Sequence, residues 1–189
     1  MKVTVVDYGV GNLHSLARAL ERCGADVEVA TTPAQVEQAT RLVLPGVGAF
    51  GAAAEALQPL APAVKAAARR VPTLGICLGM QLLHESSEES PGAKGLGLLP
   101  GAVRRLHNPI LPAMGWSRVA SRDKSLDGQA FYFVHSFAVP VQAATVATAV
   151  HGDTYTAVER AATLTGVQFH PEKSGPAGLA LLQRWLETP

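Results

Sequence analysis

A cysteine, a histidine and a glutamate in this sequence have the types and spacing that nucleophilic catalysis requires. Cys77 lies in "GICLG" (75–79), a G-x-C-x-G pattern that matches the nucleophile elbow with sulfur in place of the serine hydroxyl. His170 and Glu172 follow in "QFHPE", at the end of a strand-like run. In that order they could supply a nucleophile, a general base and a carboxylate that orients the base.

The elbow makes demands on the backbone around Cys77. A sharp strand-to-helix turn strains its central residue, and the flanking glycines remove β-carbons that would collide there. The thiol would stand after the strand "VPTLGI" and at the start of the helix "LGMQLLHE", whose free amides favour negative charge. The alternative is a buried cysteine that only fills space, and the elbow pattern alone does not exclude it.

A nearby base decides between these alternatives. Pro171 favours extended backbone at His170, and residues two apart on an extended chain lie about 6.6 Å apart on the same side. We therefore expect Glu172 to contact the His170 imidazole. Of the other histidines only His135, at the end of a strong strand, is a further candidate. We interpret the rest, and the second cysteine, as surface or packing residues: His14, His84, His107, His151 and Cys23.

A glycine-rich loop in "RLVLPGVGAFG" also formally satisfies the dinucleotide pattern G-x-G-x-x-G. It does not follow the first strand, and residues 56–84 hold no acidic side chain to bind a ribose, so we exclude that use. We expect instead a tight loop beside the cysteine. The backbone amides of Val47 and Leu78 would then form an oxyanion hole.

The elements that must position these residues alternate in the first half of the chain. The strands "KVTVVD", "DVEVAT", "RLVLPG" and "VPTLGI" are separated by helical patterns, which is typical of a parallel sheet with helices on both faces. The second half is β-rich, with "AFYFVHSF", "ATVATAV", "TAVERA" and "LTGVQFH" before a closing amphipathic helix. We predict a three-layer α/β fold with a mixed, mostly parallel central sheet and an antiparallel extension.

Composition limits the possible functions. The 189 residues contain no linker or repeat, so we expect a single domain over 1–189. A net charge of +1 disfavours nucleic acid, and no apolar run reaches the roughly 18 residues that a membrane span needs. The start has too short an apolar run for a secretory signal, so we expect a cytoplasmic protein with reduced thiols. Without C-x-x-C or H-x-x-x-H spacing we expect no zinc or other metal, and with the dinucleotide pattern excluded we expect no cofactor.

Three segments together resemble the class I, triad-type glutamine amidotransferases: "PGVGAF", "GICLGMQ" and "GVQFHPEKS". The resemblance implies a flavodoxin-like α/β fold. It also implies that Cys77 attacks the side-chain amide of glutamine, releases ammonia and leaves a glutamyl thioester that water hydrolyses. His170 would be the general base and acid, and Glu172 would orient it.

The same resemblance implies which residues hold the substrate. They are Gly48, Gln81 and the backbone of "HSF" at His135, Ser136 and Phe137.

Further segments are similar to the glutaminase subunits of imidazole glycerol phosphate synthases, from histidine biosynthesis: "VDYGVGNLHSL", "GLGLLPG", "MGWSRV" and "YFVHSF". This implies a heterodimer with a (β/α)₈-barrel cyclase subunit, which receives ammonia through its interior. The absence of a P-loop from the sequence agrees with an acceptor bound elsewhere. Asn12 is a candidate interface residue, although a helix N-cap explains it equally well.

Some positions depart from that pattern, and two other functions stay open. His14, Ser117 and Phe137 stand where arginine, asparagine and tyrosine are expected, which puts partner-facing detail in doubt but not the chemistry. The chain could be a glutaminase that feeds a different synthase, although it lacks the D-N-x-D-S-F start of anthranilate synthase glutaminases. It could also be a non-catalytic binding domain that keeps this fold, against which the intact triad argues.

Overall fold

An eight-stranded sheet forms the centre of the computed structural model, which describes residues 1–188. The strands of the described chain, including two smaller sheets, are β1 (Lys2–Val6), β2 (Asp26–Ala30), β3 (Leu42–Leu44), β4 (Thr73–Ile76), β5 (Ser86–Ser87), β6 (Ala102–Arg105), β7 (Ala113–Arg118), β8 (Ala120–Ser121), β9 (Ala130–His135), β10 (Phe137–Ala138), β11 (Thr145–His151), β12 (Asp153–Ala161) and β13 (Leu164–Val167). The helices are α1 (Leu13–Arg22), α2 (Pro33–Glu37), α3 (Phe50–Leu57), α4 (Ala61–Ala68), α5 (Leu78–Leu82) and α6 (Gly175–Leu186).

The central sheet is mixed, as predicted. Its order is β2-β1-β3-β4-β13-β12-β11-β8; the strands from β2 to β13 are parallel, and β12, β11 and β8 continue the sheet antiparallel. The pair β4 and β13 matters most for function, because these parallel neighbours come from the middle and the end of the chain. Their carboxyl ends therefore lie side by side.

Helices cover both faces of this sheet. Helix α1 buries Leu16, Ala19 and Leu20 and packs with α6 over one face, while α2 to α5 pack on the other. Each fully buried leucine contributes about 1.5–3 kcal/mol relative to an exposed one, so the apolar stripe fixes which face the helix takes. Together these layers confirm the predicted three-layer arrangement.

One helix boundary agrees with the sequence-based prediction and another does not. The alanine-rich helix is broken between α3 and α4, as the prolines at 59 and 62 predict. Helix α5 ends at Leu82, earlier than expected, because the carbonyls of Leu82, Leu83 and His84 accept hydrogen bonds from residues 96–99. His84 therefore lies after the helix, fully buried and bonded to Glu159 (3.0 Å).

Two small sheets flank the central one. One has the order β10-β6-β5, and the other is the antiparallel pair β7 and β9. Strand β7 holds "AMGWSR", a segment that the sequence pattern did not mark as a strand. No helix among residues 1–188 has the length and apolar character that a membrane crossing needs.

Candidate active site

Cys77 occupies a sharp turn between β4 and α5. Its φ of 53° and ψ of −109° lie outside the regions that L-residues favour, which is the strain expected of a nucleophile elbow. The flanking glycines are needed for steric reasons. A β-carbon on Gly79 would overlap the Leu44 carbonyl oxygen, and one on Gly75 would lie 2.8 Å from the backbone nitrogen of Met80. The elbow therefore has the geometry that its pattern predicts.

Cys77 is only 6% exposed, and its sulfur has two hydrogen-bond partners. The Gln168 Nε2 group donates to Sγ over 3.7 Å, and the Val134 carbonyl lies 4.0 Å away as an acceptor for the thiol. Neither partner belongs to the triad predicted from the sequence. Gln168 precedes Phe169 and His170 in the chain, so the same segment carries both the base and a contact to the nucleophile.

His170 and Glu172 are in contact, but not for the predicted reason. The His170 Nδ1 atom lies 2.8 Å from Glu172 Oε1, and both side chains are almost fully buried. His170 itself is extended, whereas Pro171–Lys173 forms a 3₁₀ turn, so the extended spacing that we expected is wrong. Ser174 Oγ donates to the His170 carbonyl over 2.6 Å and stabilises this turn.

The charge environment of His170 favours the imidazolium. Burial by itself lowers its pKa, but the contacts with Cys77 and Glu172 outweigh burial and raise the pKa to about 9. Within residues 1–188, His170 Nε2 is buried without a hydrogen-bond partner. That nitrogen is therefore free to exchange a proton with a reacting group in the cleft.

The glycine loop lies against the elbow, as predicted. A β-carbon on Gly46 would lie 2.7 Å from the Gly79 amide nitrogen, so the loop and the elbow are in direct contact. Tyr8, which follows β1, donates its hydroxyl to the Pro45 carbonyl and so links the glycine loop to the end of that strand. Glu89 Oε2 accepts the Phe50 amide (2.7 Å) where α3 begins.

A cleft of about 170 Å³ opens at this point. Most residues predicted for catalysis, the oxyanion hole and substrate binding line it: Val47, Gly48, Cys77, Leu78, Gln81, His135, Ser136, Phe137 and His170. Glu89 and Val134 also line the cleft and were not predicted. Glu172 and Asn12 do not belong to its lining.

Hydrogen bonds from buried side chains fix the segment "HSF". The Phe137 carbonyl accepts Gln81 Nε2 (2.8 Å) and His135 Nδ1 (3.0 Å). Tyr155 donates its hydroxyl to His135 Nε2 (3.3 Å), so both ring nitrogens are used in the neutral imidazole. Burial lowers the pKa of His135 to about 4, which agrees with that neutral form.

The remaining predicted residues lie elsewhere. Asn12 caps α1 by accepting the Ser15 amide (3.4 Å), which confirms the N-cap explanation and leaves an interface role untested. His14 is exposed on α1. His107 pairs with Asp153 (2.9 Å), and His151 contacts the Ile110 carbonyl (2.7 Å).

Cys23 is partly buried against the main core, as expected of a packing residue, and its sulfur lies 3.5 Å from the Leu179 carbonyl. Along the part of the chain that the structure describes, no cluster of three or more His, Cys, Asp or Glu side chains could hold a metal ion.

This arrangement suits acyl transfer through a covalent intermediate. A strained sulfur nucleophile and an imidazole with a free nitrogen line one cleft, and a carboxylate contacts the other nitrogen of that imidazole. Val47 of the glycine loop and Leu78 of the elbow also line the cleft. Their backbone amides are the predicted oxyanion-hole donors. The cleft also carries one carboxylate, Glu89, that could bind a cationic group of a substrate.

Comparisons with known proteins show the family of this chain. Residues 4–188 match the family model for class-I glutamine amidotransferases. The chain is 46% identical to the imidazole glycerol phosphate synthase subunit HisH of Methanopyrus kandleri, covering 96% of each chain. It is 44% identical to the HisH subunit of a Thermus thermophilus strain, covering 96% of this chain and 95% of the relative.

Solved structures support the fold. A crystal structure described as a glutamine amidotransferase has a TM-score of 0.79 at 17% identity, covering 98% of this chain and 99% of that one. PurLQS from Thermotoga maritima has a TM-score of 0.76 at 21% identity, covering 98% and 97%. The chain therefore belongs to the class-I glutamine amidotransferases and, within them, to the family of imidazole glycerol phosphate synthase HisH subunits.

Proposed function

We propose that this chain hydrolyses L-glutamine to glutamate and ammonia at Cys77, and supplies the ammonia to the cyclase subunit of imidazole glycerol phosphate synthase in histidine biosynthesis. The observation that carries the proposal is that Cys77 and His170 line one cleft, with Glu172 bonded to His170, in a chain 46% identical to a HisH subunit. Both cysteines are free thiols, which fits the reducing cytoplasm where we expect the enzyme to work.

The first half of the reaction forms a thioester. The Cys77 proton first passes to His170 Nε2, which the site holds as imidazolium, and the thiolate then attacks the carboxamide carbon of glutamine to form a carbon–sulfur bond. The carbon–nitrogen bond then breaks, His170 returns the proton to the leaving nitrogen, and ammonia departs. Glu172 keeps its negative charge and stabilises the imidazolium in between.

The second half consumes one water. His170 Nε2 takes a proton from water, whose oxygen attacks the thioester carbon. The carbon–sulfur bond then breaks and His170 returns the proton to Sγ, which gives glutamate and the Cys77 thiol. In both halves the carbonyl oxygen carries negative charge. The amides of Val47 and Leu78 would stabilise that charge, and each such donor contributes about 10²–10³ in rate.

The cleft offers partners for the rest of the glutamine molecule. Gly48, His135, Ser136 and Phe137 belong to its wall, and their backbone would hold the substrate. The Glu89 carboxylate is the acidic side chain of the lining, and it would bind the α-ammonium group of an amino acid. The Glu89 carboxylate therefore favours the amide of an amino acid over an amide without an amino group.

A second subunit is proposed for the face beside the cleft. Met114 and Trp116 on β7 are 66% and 60% exposed, and Met114 pairs with Val134, which lines the cleft. Large exposed apolar side chains grouped on one strand indicate a surface that a partner covers. We propose a (β/α)₈-barrel cyclase there, which uses the ammonia to form imidazole glycerol phosphate and aminoimidazole-carboxamide ribonucleotide.

Ammonia release measured with and without the partner tests the proposal. The chain combined with the cyclase subunit of a close relative and its nucleotide substrate should release ammonia from glutamine faster than the chain alone. Cys77→Ala should abolish this release, whereas Cys23→Ala, which changes the other thiol, should retain it. Ammonia release that persists in Cys77→Ala would overturn the assignment, and so would stimulation by a different synthase but not by the cyclase.

A further inference from the structure

Two buried side-chain amides connect the Phe137 carbonyl in the cleft wall to the nucleophile. The Gln81 Nε2 group donates to the Phe137 carbonyl (2.8 Å) and to the Gln168 side-chain oxygen (3.1 Å), and Gln168 Nε2 donates to Cys77 Sγ (3.7 Å). The three residues that contribute side chains come from the two halves of the chain. This connected set is here called the amide relay, and it consists of Phe137 O, Gln81, Gln168 and Cys77 Sγ.

The orientation of each amide in the relay follows from the group before it. A backbone carbonyl only accepts hydrogen bonds, so the nitrogen of Gln81, not its oxygen, must face Phe137. That nitrogen has a second hydrogen, which requires the oxygen of Gln168 to face Gln81. The nitrogen of Gln168 is then left to face the sulfur, so an N–H donor points at Cys77.

Because Gln168 is buried, its side-chain N–H group has no water to bond and is available to the Cys77 sulfur. Gln168 is 0% exposed and Gln81 is 4% exposed, so solvent does not compete for their hydrogens. The Gln168 backbone amide is also fixed, since it donates to the Ala157 carbonyl (2.9 Å). A buried amide hydrogen without an acceptor is costly, and the sulfur is the acceptor that this side chain finds.

The two sulfur contacts favour different forms of Cys77. The Val134 carbonyl can only accept, so it stabilises the thiol and repels a thiolate. The Gln168 N–H group can only donate to sulfur, so it stabilises the thiolate more than the thiol. The relay therefore favours the thiolate, which is the form of Cys77 that the proposed attack on glutamine requires.

We propose that Gln168 is a positioning residue that holds Cys77 Sγ and stabilises its thiolate, and that Gln81 keeps the Gln168 amide in the required orientation. The catalytic consequence rests on the proposed function. The effect on the thiol itself does not, because it can be measured without glutamine or a partner.

The test compares the pH dependence of Cys77 alkylation by iodoacetamide, followed by mass spectrometry of the Cys77 peptide with the Cys23 peptide as internal reference. Gln168→Met removes the donor at similar length, and Gln168→Glu replaces it with an oxygen. Both should raise the pH midpoint of alkylation by about one unit, which makes alkylation below the midpoint about tenfold slower. The exposed Gln129→Glu is the matched control and should leave the midpoint unchanged.

A measurement on the unaltered chain covers the case in which a variant does not fold. The side-chain amide protons of Gln168, assigned by NMR, should shift with the same pH midpoint as Cys77 alkylation, and Cys77→Ala should remove that shift. Folded Gln168 variants with an unchanged midpoint would overturn the proposal. Amide protons that do not respond to Cys77 ionisation would also overturn it.

The assembled enzyme separates this proposal from the proposed function. Because Gln168 does not belong to the cleft lining, Gln168→Met should lower kcat and leave KM for glutamine unchanged. A role in folding alone would lower the amount of active enzyme without moving the pH midpoint. If the wild-type assembly releases no ammonia, the proposed function fails while the alkylation result still stands.

Discussion

Val167 on β13 pairs in register with Ile76 on β4, and the Val167 carbonyl accepts the amide of Cys77 (2.8 Å). His170 follows three residues after Val167, so the register of one parallel strand pair brings the nucleophile and the base to the same edge of the sheet. In open α/β sheets, ligands bind in a crevice outside the carboxyl ends of the parallel strands. The candidate site is thus a direct consequence of how β4 and β13 pair.

Gly79→Ala should disrupt the elbow. The new β-carbon would overlap the Leu44 carbonyl oxygen, a backbone atom of β3 that cannot move without breaking the sheet. We expect a loss of at least about 3 kcal/mol in the free energy of unfolding, at the upper end of overpacking costs, and loss of Cys77 reactivity. Urea unfolding and iodoacetamide labelling measure the two effects.

Gly97→Ala is the matched control for that change. Gly97 has a positive φ of 60° but open space around its missing β-carbon, so only backbone strain of about 1–2 kcal/mol is expected. If both variants lost the same stability, overlap at Gly79 would not be the cause.

Lowering the pH should destabilise the fold through His135. Its pKa is about 4 in the folded chain because the ring is buried, whereas an unfolded histidine titrates near 6.5. The unfolded state therefore binds the extra proton as the pH falls from 6.5 to 4, and stability decreases by up to about 3 kcal/mol over that window. Urea unfolding at a series of pH values checks this, and His135→Gln should flatten the decrease.

Exposed His14 provides the comparison. His14→Gln should leave the acid-side dependence of the free energy of unfolding as it is in the unaltered chain. A slope that is equally steep in His135→Gln would assign the effect to other groups.

Glu172→Gln should weaken catalysis without moving the imidazole. An amide oxygen can still accept the His170 Nδ1 hydrogen, but it cannot stabilise the imidazolium by charge. The pKa of His170, about 9 in the folded chain, should fall, and kcat for ammonia release should drop by about 10²–10⁴. Titration of the His170 ring by NMR measures the first effect, and coupled ammonia assays measure the second.

The sign of the linked stability effect also follows. Contacts that raise the His170 pKa stabilise the fold fully below about 6.5, and this stabilisation is lost as the pH rises through about 9. In Glu172→Gln that alkaline loss should be smaller and should be complete at a lower pH. The exposed Glu187→Gln, as a control, should change neither the titration nor kcat.

Glu89→Gln should affect substrate binding more than chemistry. The carboxylate is proposed to pair with the α-ammonium of glutamine, an interaction that is equal in the ground and transition states. Removing the charge should raise KM about tenfold or more and leave kcat nearly unchanged, while a glutamine analogue without the amino group should show no difference. Neighbouring Glu88→Gln, whose side chain pairs with Arg104 at the surface, should behave as the wild type.

Local motifs explain what the sequence could predict, and distant contacts explain what it could not. The elbow and the "QFHPE" segment each end a strand, so their meeting follows from a parallel sheet. The contact between Glu172 and His170 was predicted from extended geometry, yet it depends on a 3₁₀ turn closed by Ser174. Gln168 lies within the "QFHPE" segment, but the sequence indicates no role for it, because its partner Gln81 is distant in the sequence.

Strand β7 was missed for a different physical reason. Among residues 1–188 it pairs only with β9, and two of its three exposed side chains, Met114 and Trp116, are large and apolar, so it lacks the apolar-inside, polar-outside alternation that marks a strand with one solvated face. The same feature that hid the strand indicates a covered surface. Sequence reasoning therefore fails here at a position that we propose to be functional.

Trp116→Ala should weaken partner binding while leaving the isolated chain intact. The side chain is 60% exposed and contacts Tyr132 only at its ring edge (6.3 Å between centroids), so truncation costs the fold little. At an interface the same tryptophan would be buried, and its loss should reduce affinity for the cyclase by about 2 kcal/mol or more. Calorimetric titration measures that change, and Val150→Ala, an exposed apolar residue on β11, is the control. Equal losses in both variants, or in neither, would exclude β7 as the docking strand.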